Sequence, residues 1–311
     1  MKKVLIIGIN GFVGTHLSNE LVNNGYKCYG ADINIPNLTN SNIELFKLDI
    51  LDKYSIISVL KEIKPNYIIN LAAISSVKVS WEIPQKTFEV NVNGTINVLE
   101  SIRELNLETR VLLIGSSEQY GKIDYTKPVT EKCELNALNP YGISKATQEK
   151  IAKMYVETYG MDVIMVRAFN HIGPGQGKGF VVPDFAAQIV AIEKGDLEPI
   201  IRVGNLSAER DFTDVRDVVR AYRFILEKGL NGEVYNIGSG RAISIQSILN
   251  KLIENCKAQV NIEIDKLKLR PVDTPKIECD NSKLKDETGW RLKYSIDESL
   301  RDIIEYWRGI L

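Results

Sequence analysis

Short apolar runs recur along the chain and alternate with helical patterns. The runs are rich in Val, Ile and Leu and lack a clean apolar–polar alternation, as is typical of parallel strands that are buried on both faces. Between the runs, apolar residues recur every three or four positions, as at Phe88, Val92, Ile96 and Leu99, which predicts amphipathic helices. The predicted strands are residues 4–7, 28–31, 43–48, 67–71, 111–114, 163–166 and 234–237.

This alternation predicts an α/β fold, a doubly wound parallel sheet of the Rossmann type with helices on both faces. We assign residues 1–170 and 211–240 to a dinucleotide-binding domain, with a helix over 211–227. Residues 171–210 and 241–311 form a smaller, discontinuous substrate-binding lobe. Ligands of such sheets bind beyond the carboxyl ends of the strands. Residues expected to converge there are Gly8, Asp32, Asp49, Leu71, Ala72, Ala73 and Ser116.

A glycine-rich segment follows the first predicted strand at once. Its glycines have the spacing G-x-x-G-x-x-G, and Val13, Leu17 and Leu21 then begin a helical pattern. Glycines permit a tight turn and let backbone N–H groups approach a pyrophosphate at the start of a helix. A strand, this turn and a helix together predict a dinucleotide site. The segment reads Gly8, Ile9, Asn10, Gly11, Phe12, Val13 and Gly14.

Asp32 lies at the end of the second predicted strand, 18 residues beyond Gly14. A carboxylate there can accept hydrogen bonds from the ribose hydroxyls of the adenosine and repels a 2′-phosphate. The sequence has no Lys or Arg between Asp32 and Phe46. These features favour NAD over NADP, although a turn residue at a strand end is the plainer interpretation of Asp32.

Tyr141 and Lys145 are four residues apart, and Ser116 precedes them. Residues at i and i+4 share one side of a helix. Asn139 suits an N-cap, Pro140 the first helical position and Gly160 the C-terminal stop. An ammonium beside a phenol lowers its pKa from ~10, and a serine hydroxyl can share the substrate oxygen with the phenol. The trio therefore indicates proton-transfer chemistry at an oxygen.

Composition agrees with an enzyme of small molecules. Of the 311 residues 44% are hydrophobic and 25% charged, and the formal net charge is −1, which gives no reason to expect a nucleic acid or an anionic membrane as partner. The four cysteines are scattered, so we expect reduced thiols in a cytoplasmic protein. With two histidines, we expect no metal site.

Several motifs resemble the extended short-chain dehydrogenase/reductases that act on nucleotide sugars. These are the glycine-rich segment, Asn70-Leu71-Ala72-Ala73, Asn91-Val92-x-Gly94-Thr95, Ser116 and the Tyr141–Lys145 pair. More narrowly, residues 115–121, 169–176, 210–217 and 270–273 resemble the GDP-4-keto-6-deoxy-D-mannose reductases, which make GDP-D-rhamnose. The related GDP-mannose 4,6-dehydratases share much of this pattern.

The resemblance implies a role for each matching residue. Tyr141 is expected to protonate the carbonyl oxygen at carbon 4 of a nucleotide sugar. Lys145 is expected to lower the pKa of the phenol and to hold the nicotinamide ribose of NAD(P)H, and Ser116 to bond the same oxygen as Tyr141. Asp49 and Ile50 are expected to flank the adenine. Expected nucleotide-sugar contacts, with a GDP-sugar favoured, are Ser116, Ser117, Glu118, Asn170, Arg210, Asp211, Phe212, Thr213, Arg270, Pro271, Val272 and Asp273.

Glu118 leaves other functions open. It occupies the position at which 4,6-dehydratases carry a base for the proton on carbon 5, so a dehydratase or a 4-epimerase is the alternative. A non-catalytic, dinucleotide-sensing regulator is an alternative of another class, which the retention of Tyr141 and Lys145 disfavours. The resemblance also implies a homodimer through two helices of each subunit.

Overall fold

A computed structural model of the chain describes residues 1–35, 43–124, 126–268 and 274–311. Its strands, numbered in chain order, are β1 Lys3–Ile7, β2 Lys27–Asp32, β3 Glu44–Lys47, β4 Tyr67–Asn70, β5 Arg110–Ser116, β6 Val163–Ala168, β7 Asn170–Ile172, β8 Ile200–Val203, β9 Glu209–Asp214, β10 Val234–Ile237, β11 Ala242–Ser244, β12 Asn261–Ile264 and β13 Lys276–Ile277. Its α-helices are α1 Phe12–Asn23, α2 Lys53–Ile63, α3 Val77–Glu82, α4 Pro84–Phe88, α5 Gly94–Glu104, α6 Pro140–Tyr159, α7 Val181–Glu193, α8 Val215–Lys228, α9 Ile245–Glu254, α10 Ser282–Thr288 and α11 Ile296–Ile310.

Seven parallel strands form the main sheet in the order β10-β6-β5-β4-β1-β2-β3. The order runs in both directions from β1, so that β1 and β4 flank the point at which the winding reverses. Each of the seven predicted strands has its counterpart in this sheet, which confirms the doubly wound fold. Strands β1 and β4 are almost wholly buried, as expected for strands covered on both faces.

Helices cover both faces of the sheet and enclose one core on each side. One core joins the sheet to α1, α8 and α10 through residues such as Leu17, Tyr222 and Trp290. The other joins it to α2, α5 and α6 through residues such as Leu60, Leu99 and Ala152. Apolar burial on both faces stabilises the sheet and holds the ends of its strands in fixed positions.

Helix α6 has the ends that the sequence predicts. Asn139 is the N-cap and accepts a hydrogen bond from the backbone N–H of Gly142 at 2.8 Å, Pro140 is the first helical residue, and Gly160 ends the helix with φ +65°. Helix α6 has 20 residues, but none of the described helices combines the length and apolarity that crossing a membrane requires.

Two predicted elements differ from the structure. The apolar stripe from Phe88 to Leu99 is not one α-helix, because a π-helical turn at Glu89–Asn93 separates α4 from α5. The predicted helix over 211–227 begins at Val215, since residues 209–214 form β9. Asp214 accepts the backbone N–H of Arg216 at 2.8 Å and caps α8, which fixes the change from strand to helix.

The rest of the chain builds two small sheets, β11-β9-β13 with β7 beside β9, and β12-β8. A third core fills the space between them and α7, α9 and α11, and its buried residues include Phe185, Leu249 and Trp307. β9 belongs to a small sheet, whereas Leu284 and Trp290 pack with α8 in a core of the main sheet.

Candidate active site

The glycine-rich loop between β1 and α1 is shaped by close backbone contacts. Gly8 has φ +85°, and a Cβ on it would lie 2.8 Å from the backbone nitrogen of Ala72. A Cβ on Gly14 would lie 2.3 Å from the carbonyl oxygen of Ile9. Only glycine fits either position. The loop therefore brings the N-terminus of α1 against the end of β4, and its backbone suits the close approach of a pyrophosphate.

Asp32 lies beside this loop at the end of β2. Its carboxylate accepts a hydrogen bond from the backbone N–H of Asn10 at 3.1 Å, so the loop orients it. Lys47 pairs in register with Asp32 on the neighbouring strand β3, and its side chain is exposed. Paired residues of adjacent parallel strands point to the same face. The sequence interpretation missed this cation, which directly follows the segment from Asp32 to Phe46 that contains no Lys or Arg.

Other predicted coenzyme contacts lie at neighbouring strand ends. Asp49 accepts the backbone N–H of Leu51 at 2.9 Å, and the carbonyl oxygen of Ile50 accepts from Asn97 at 2.9 Å. Beyond β4, the backbone N–H of Ala72 bonds to the side chain of Asn70 at 3.1 Å. The described geometry thus places the loop residues Asn10, Gly11, Phe12 and Val13, the acids Asp32 and Asp49, and Ile50, Leu71, Ala72 and Ala73 along one edge of the sheet.

Ser116, Tyr141 and Lys145 come together as predicted, at the end of β5 and in the first turns of α6. All three are buried, with at most 9% of each residue exposed. The Ser116 hydroxyl accepts the backbone N–H of Glu118 at 3.2 Å and lies close enough to the Tyr141 phenol to lower its pKa. The two hydroxyl groups are therefore close enough to bind a single oxygen between them.

The pKa values of Tyr141 and Lys145 are shifted mainly by burial. Burial raises the pKa of Tyr141 to about 12, a change that the Ser116 hydroxyl opposes and the Glu118 carboxylate increases. Burial lowers the pKa of Lys145 to about 7. Its ammonium donates to the Ile114 carbonyl at 2.7 Å and to Gln148 at 3.0 Å. In this structure Tyr141 is therefore a protonated phenol at neutral pH.

Glu118 is held by the residue that caps the catalytic helix. Asn139 donates from its side-chain nitrogen to the Glu118 carboxylate at 2.7 Å, while its oxygen caps α6 at Gly142. A Cβ on Gly142 would lie 2.4 Å from the backbone oxygen of Glu118. The carboxylate is consequently fixed against the start of α6, and Ser117, which is buried, lies in the same turn.

The predicted substrate residues of β7 and β9 have different surroundings. Asn170 is exposed at the start of β7, and Arg210 donates to the carbonyl oxygen of Glu209 at 2.8 Å. Phe212 packs in the third core, so it supports the lobe rather than facing a ligand. The Thr213 hydroxyl is buried without a hydrogen-bond partner among the described residues. Arg270, Pro271, Val272 and Asp273 lie outside the described residues.

The structure corrects the prediction that Asp211 contacts the nucleotide sugar. It is fully buried, and its carboxylate accepts the backbone N–H groups of Ser239 at 2.7 Å, Gly240 at 2.9 Å and Cys279 at 3.1 Å, together with the Ser239 hydroxyl at 2.6 Å. These donors occupy both carboxylate oxygens. Asp211 therefore joins β9 to the loops after β10 and β13 instead of binding a substrate.

The sequence interpretation missed contacts that connect the loop to the lobe. The Phe12 ring stacks on the His171 ring, with centroids 6.1 Å apart, and His16 bonds to the Pro174 carbonyl at 2.8 Å. It also missed the buried polar residues Gln119 and Glu149 behind Ser116. No group of three or more His, Cys, Asp or Glu residues in the described ranges is arranged to hold a metal ion.

Comparison with known proteins gives matches along the whole chain. A family model described as GDP-mannose 4,6 dehydratase matches residues 5–303. A GDP-6-deoxy-D-mannose reductase from Pseudomonas aeruginosa is 30% identical over 309 residues, which cover 99% of this chain and 98% of that protein. A GDP-mannose 4,6-dehydratase from Vibrio cholerae is 28% identical over 348 residues, covering 97% and 93%.

Solved structures show the same architecture over the same length. The structure of RMD from Pseudomonas aeruginosa complexed with NADPH has a TM-score of 0.89 at 29% identity and covers 100% of both chains. The UDP-glucose 4-epimerase from Thermus thermophilus in complex with NAD has a TM-score of 0.88 at 27% identity, covering 99% of this chain and 100% of the other. Both have a nicotinamide dinucleotide bound, which the shape of the glycine-rich loop described above also fits.

Proposed function

The chain belongs to the GDP-mannose 4,6-dehydratase family, and we propose that it is a reductase of that family, which converts GDP-4-keto-6-deoxy-D-mannose into GDP-D-rhamnose with NAD(P)H. The family membership confirms the resemblance to the nucleotide-sugar dehydrogenase/reductases. The observation that carries the choice of reaction is the similarity along 99% of the chain to a GDP-6-deoxy-D-mannose reductase, and the buried Tyr141 phenol near the Ser116 hydroxyl agrees with it. A ketone reductase needs a proton donor at this place, and a phenol with a pKa of about 12 holds its proton at neutral pH.

The residues of the site divide the reaction between them. When bound, the coenzyme supplies a hydride to carbon 4 of the sugar. Tyr141 donates its phenolic proton to the oxygen on that carbon, and Ser116 donates a hydrogen bond to the same oxygen as negative charge develops on it. Lys145 lies one helical turn beyond Tyr141, where its ammonium suits the ribose next to the nicotinamide.

The coenzyme fits the groups along the sheet edge. The backbone of the loop at Gly8, Gly11 and Gly14 accommodates the pyrophosphate, and Asp32 accepts from the adenosine ribose. Asp49 and Ile50 flank the adenine. Asn170, Thr213 and the Arg210 guanidinium are proposed to contact the GDP-sugar, as are Ser117 and the segment Arg270–Asp273, which the sequence alone supports.

Glu118 supports reduction over dehydration. A dehydratase uses an acid at this position to remove the proton from carbon 5, whereas here the carboxylate is bonded to Asn139 at 2.7 Å. That bond gives Glu118 a structural role at the N-terminus of α6. A reductase has no proton to remove from carbon 5, so its turnover does not need a free carboxylate.

The coenzyme balance separates the two reactions. A dehydratase regenerates its coenzyme within each turnover, whereas a reductase consumes one NAD(P)H for each sugar. We expect stoichiometric NAD(P)H oxidation with GDP-4-keto-6-deoxymannose, followed by absorbance at 340 nm, and no keto sugar from GDP-mannose with NAD(P)⁺. Glu118→Gln keeps an acceptor for Asn139 and should alter turnover by less than about threefold, a change within ~0.7 kcal/mol.

The opposite pattern of activities would identify the protein as a dehydratase. It consists of efficient conversion of GDP-mannose into its 4-keto-6-deoxy derivative and the loss of that conversion in Glu118→Gln. The non-catalytic regulator predicts coenzyme binding without turnover of either sugar.

We also propose that the protein is a cytoplasmic homodimer. All four cysteines lie within the described residues and are free thiols, two of them buried, which suits a reducing compartment. Ile143 and Met154 on α6 are 44% and 45% exposed. They are three helical turns apart on one side of the helix, and such a pair of exposed apolar side chains suits a contact between subunits.

A further inference from the structure

A buried polar network lies directly behind Ser116. The Arg167 guanidinium forms two bonds to the Glu149 carboxylate, at 2.8 and 2.7 Å, and both residues are at most 5% exposed. The Gln119 side-chain nitrogen donates to the same carboxylate at 2.9 Å. Its side-chain oxygen accepts the backbone N–H of Ser116 at 2.8 Å. A continuous path of hydrogen bonds therefore runs from Arg167 to the backbone of Ser116.

This path joins the two elements that carry the reacting groups. Ser116 ends β5, Arg167 lies on β6, and Glu149 lies on α6. Tyr141, Lys145 and Glu149 follow one another at intervals of four residues and are all buried, so they lie along one side of α6. The bond between Gln119 and Glu149 consequently fixes the Ser116 turn relative to the helix of Tyr141.

The Gln119 amide also closes the turn that begins at Ser116. Ser116 and Gln119 form a capping box around the short 3₁₀ turn Ser117–Gln119. The Ser116 oxygen accepts from the Glu118 N–H at 3.2 Å, so the hydroxyl hydrogen is left to point at another acceptor. A Cβ on Gly115 would lie 2.2 Å from the Gln119 side-chain oxygen, and the absence of a side chain at that position gives the amide its room.

Glu149 and Arg167 carry the charges of the network, and hydrogen bonds hold both side chains in place. Burial opposes ionisation of Glu149, but the bonds from Arg167 outweigh it and lower the pKa of this carboxyl, so the pair is charged at neutral pH. Arg167 donates further to the Tyr120 hydroxyl at 2.9 Å, and Tyr120 donates to Asn236 on β10 at 2.6 Å. A buried, fully bonded ion pair of this kind is rigid.

We propose that Gln119 is a positioning residue of the reaction, which holds the Ser116 hydroxyl in line with the Tyr141 phenol through its bonds to Ser116 and Glu149. The inference rests on the proposed function, because it assigns these two hydroxyl groups to one substrate oxygen. Gln119 acts through Ser116 and does not touch the sugar. Its removal affects the step in which charge develops on that oxygen, and leaves the binding of coenzyme and sugar as it is.

The first test is Gln119→Met, which keeps the length of the side chain and removes the acceptor for the Ser116 N–H. We expect kcat to fall roughly 10- to 100-fold, because Ser116 is displaced and not removed, and outright removal of one donor to a developing oxyanion costs about 10²–10³-fold. The KM of the sugar nucleotide and the Kd of NADH, measured by fluorescence titration, should stay within about twofold. Tyr120→Phe is the matched control, since it deletes a buried bond of the same network but leaves Arg167, Glu149 and Gln119 joined.

The Tyr120→Phe control should melt at a lower temperature than wild type and keep the kcat of wild type.

The second test exchanges the side chains of Gln119 and Glu149. Gln119→Glu alone keeps the acceptor for Ser116 but places two carboxylates together and should lose activity, whereas combining it with Glu149→Gln restores a donor between the two side chains and the net charge of wild type. We expect the double variant to recover at least tenfold in kcat over Gln119→Glu.

Two results overturn the proposal. One is a kcat for Gln119→Met within a factor of two of wild type. The other is a folded double variant that is no more active than Gln119→Glu, a comparison that remains available if Gln119→Met fails to fold. A wild type that oxidises no NAD(P)H with the keto sugar contradicts the proposed function instead. The distance between the Ser116 and Tyr141 oxygens in crystal structures of wild type and Gln119→Met then tests the positioning by itself.

Discussion

Tyr141 is the residue on which the proposed chemistry depends most directly. Tyr141→Phe removes the acid and keeps the ring, so turnover should fall by roughly 10²–10⁴-fold, the usual contribution of a positioned acid. Coenzyme affinity, measured by fluorescence titration, should remain near that of wild type. A variant that retains half or more of the turnover removes Tyr141 from its role.

Lys145 makes stability depend on pH. Its pKa is about 7 in the folded chain and ~10.4 in an unfolded one. Between these values the unfolded chain binds the additional proton, so the folded state gains stability as the pH rises from about 7 to about 10. Lys145→Met abolishes this gain. Over that range we expect wild type to gain on the order of 3 kcal/mol relative to the variant, measured by urea unfolding at each pH.

Parallel stability curves for the two proteins would show that Lys145 keeps an ordinary pKa. The unfolding of Leu197→Gln, which alters an exposed residue outside α6, controls for the other groups that titrate in this range.

At the scale of single elements, the neighbouring ends of β2 and β3 set the coenzyme preference. Asp32 favours NADH, whereas Lys47 in register beside it gives a 2′-phosphate a cation. We expect wild type to prefer NADH. Asp32→Ala should shift the ratio of kcat/KM values towards NADPH by about tenfold, since a hydrogen bond to a charged group contributes ~1.5 kcal/mol or more. Steady-state kinetics with both coenzymes measures the shift.

Lys47→Met is the companion variant, and it should weaken NADPH while leaving NADH unchanged. A strong preference of wild type for NADPH would contradict the assignment of Asp32 as the selector, and the fold would stand.

The strand ends could be predicted from sequence because each signal is local. Apolar runs define the strands, and the residue that follows a run lies at the ligand edge of a parallel sheet, as Gly8, Asp32 and Ser116 do. The caps of α6 are equally local. The π-helical turn at Glu89–Asn93 could not be predicted in this way. Its Asn91 bonds to Ile74 and to Ser144 on α6, and these contacts depend on the assembled fold.

Buried polar residues were the least predictable part of the site. Gln119, Glu149 and Arg167 are types that usually face water, and no spacing distinguishes them from a solvated surface. Asp211 gave the opposite error. A carboxylate that binds a ligand and one that binds backbone N–H groups of its own chain have the same sequence pattern, so only the donors around it decide.

For the whole molecule, assembly through α6 is the property to test. Ile143→Glu and Met154→Glu each place a charge on the proposed interface, and both variants should sediment as monomers where wild type sediments as a dimer, because an unpaired charge in an interface is strongly unfavourable. Leu197→Glu is the control, since Leu197 is similarly exposed, at 50%, but lies outside α6. A wild type that sediments as a monomer contradicts the proposed dimer.

The Asn139 side chain forms two hydrogen bonds, one to the first turn of α6 and one to the Glu118 carboxylate. This arrangement has a consequence for how reactions change within such a family. An acid at this position has a reason to persist that is independent of catalysis, since its loss would leave the amide that caps the helix without a partner. A lineage can therefore stop performing an elimination and still retain the base for it. The presence of the acid alone consequently does not report which reaction a member of the family performs.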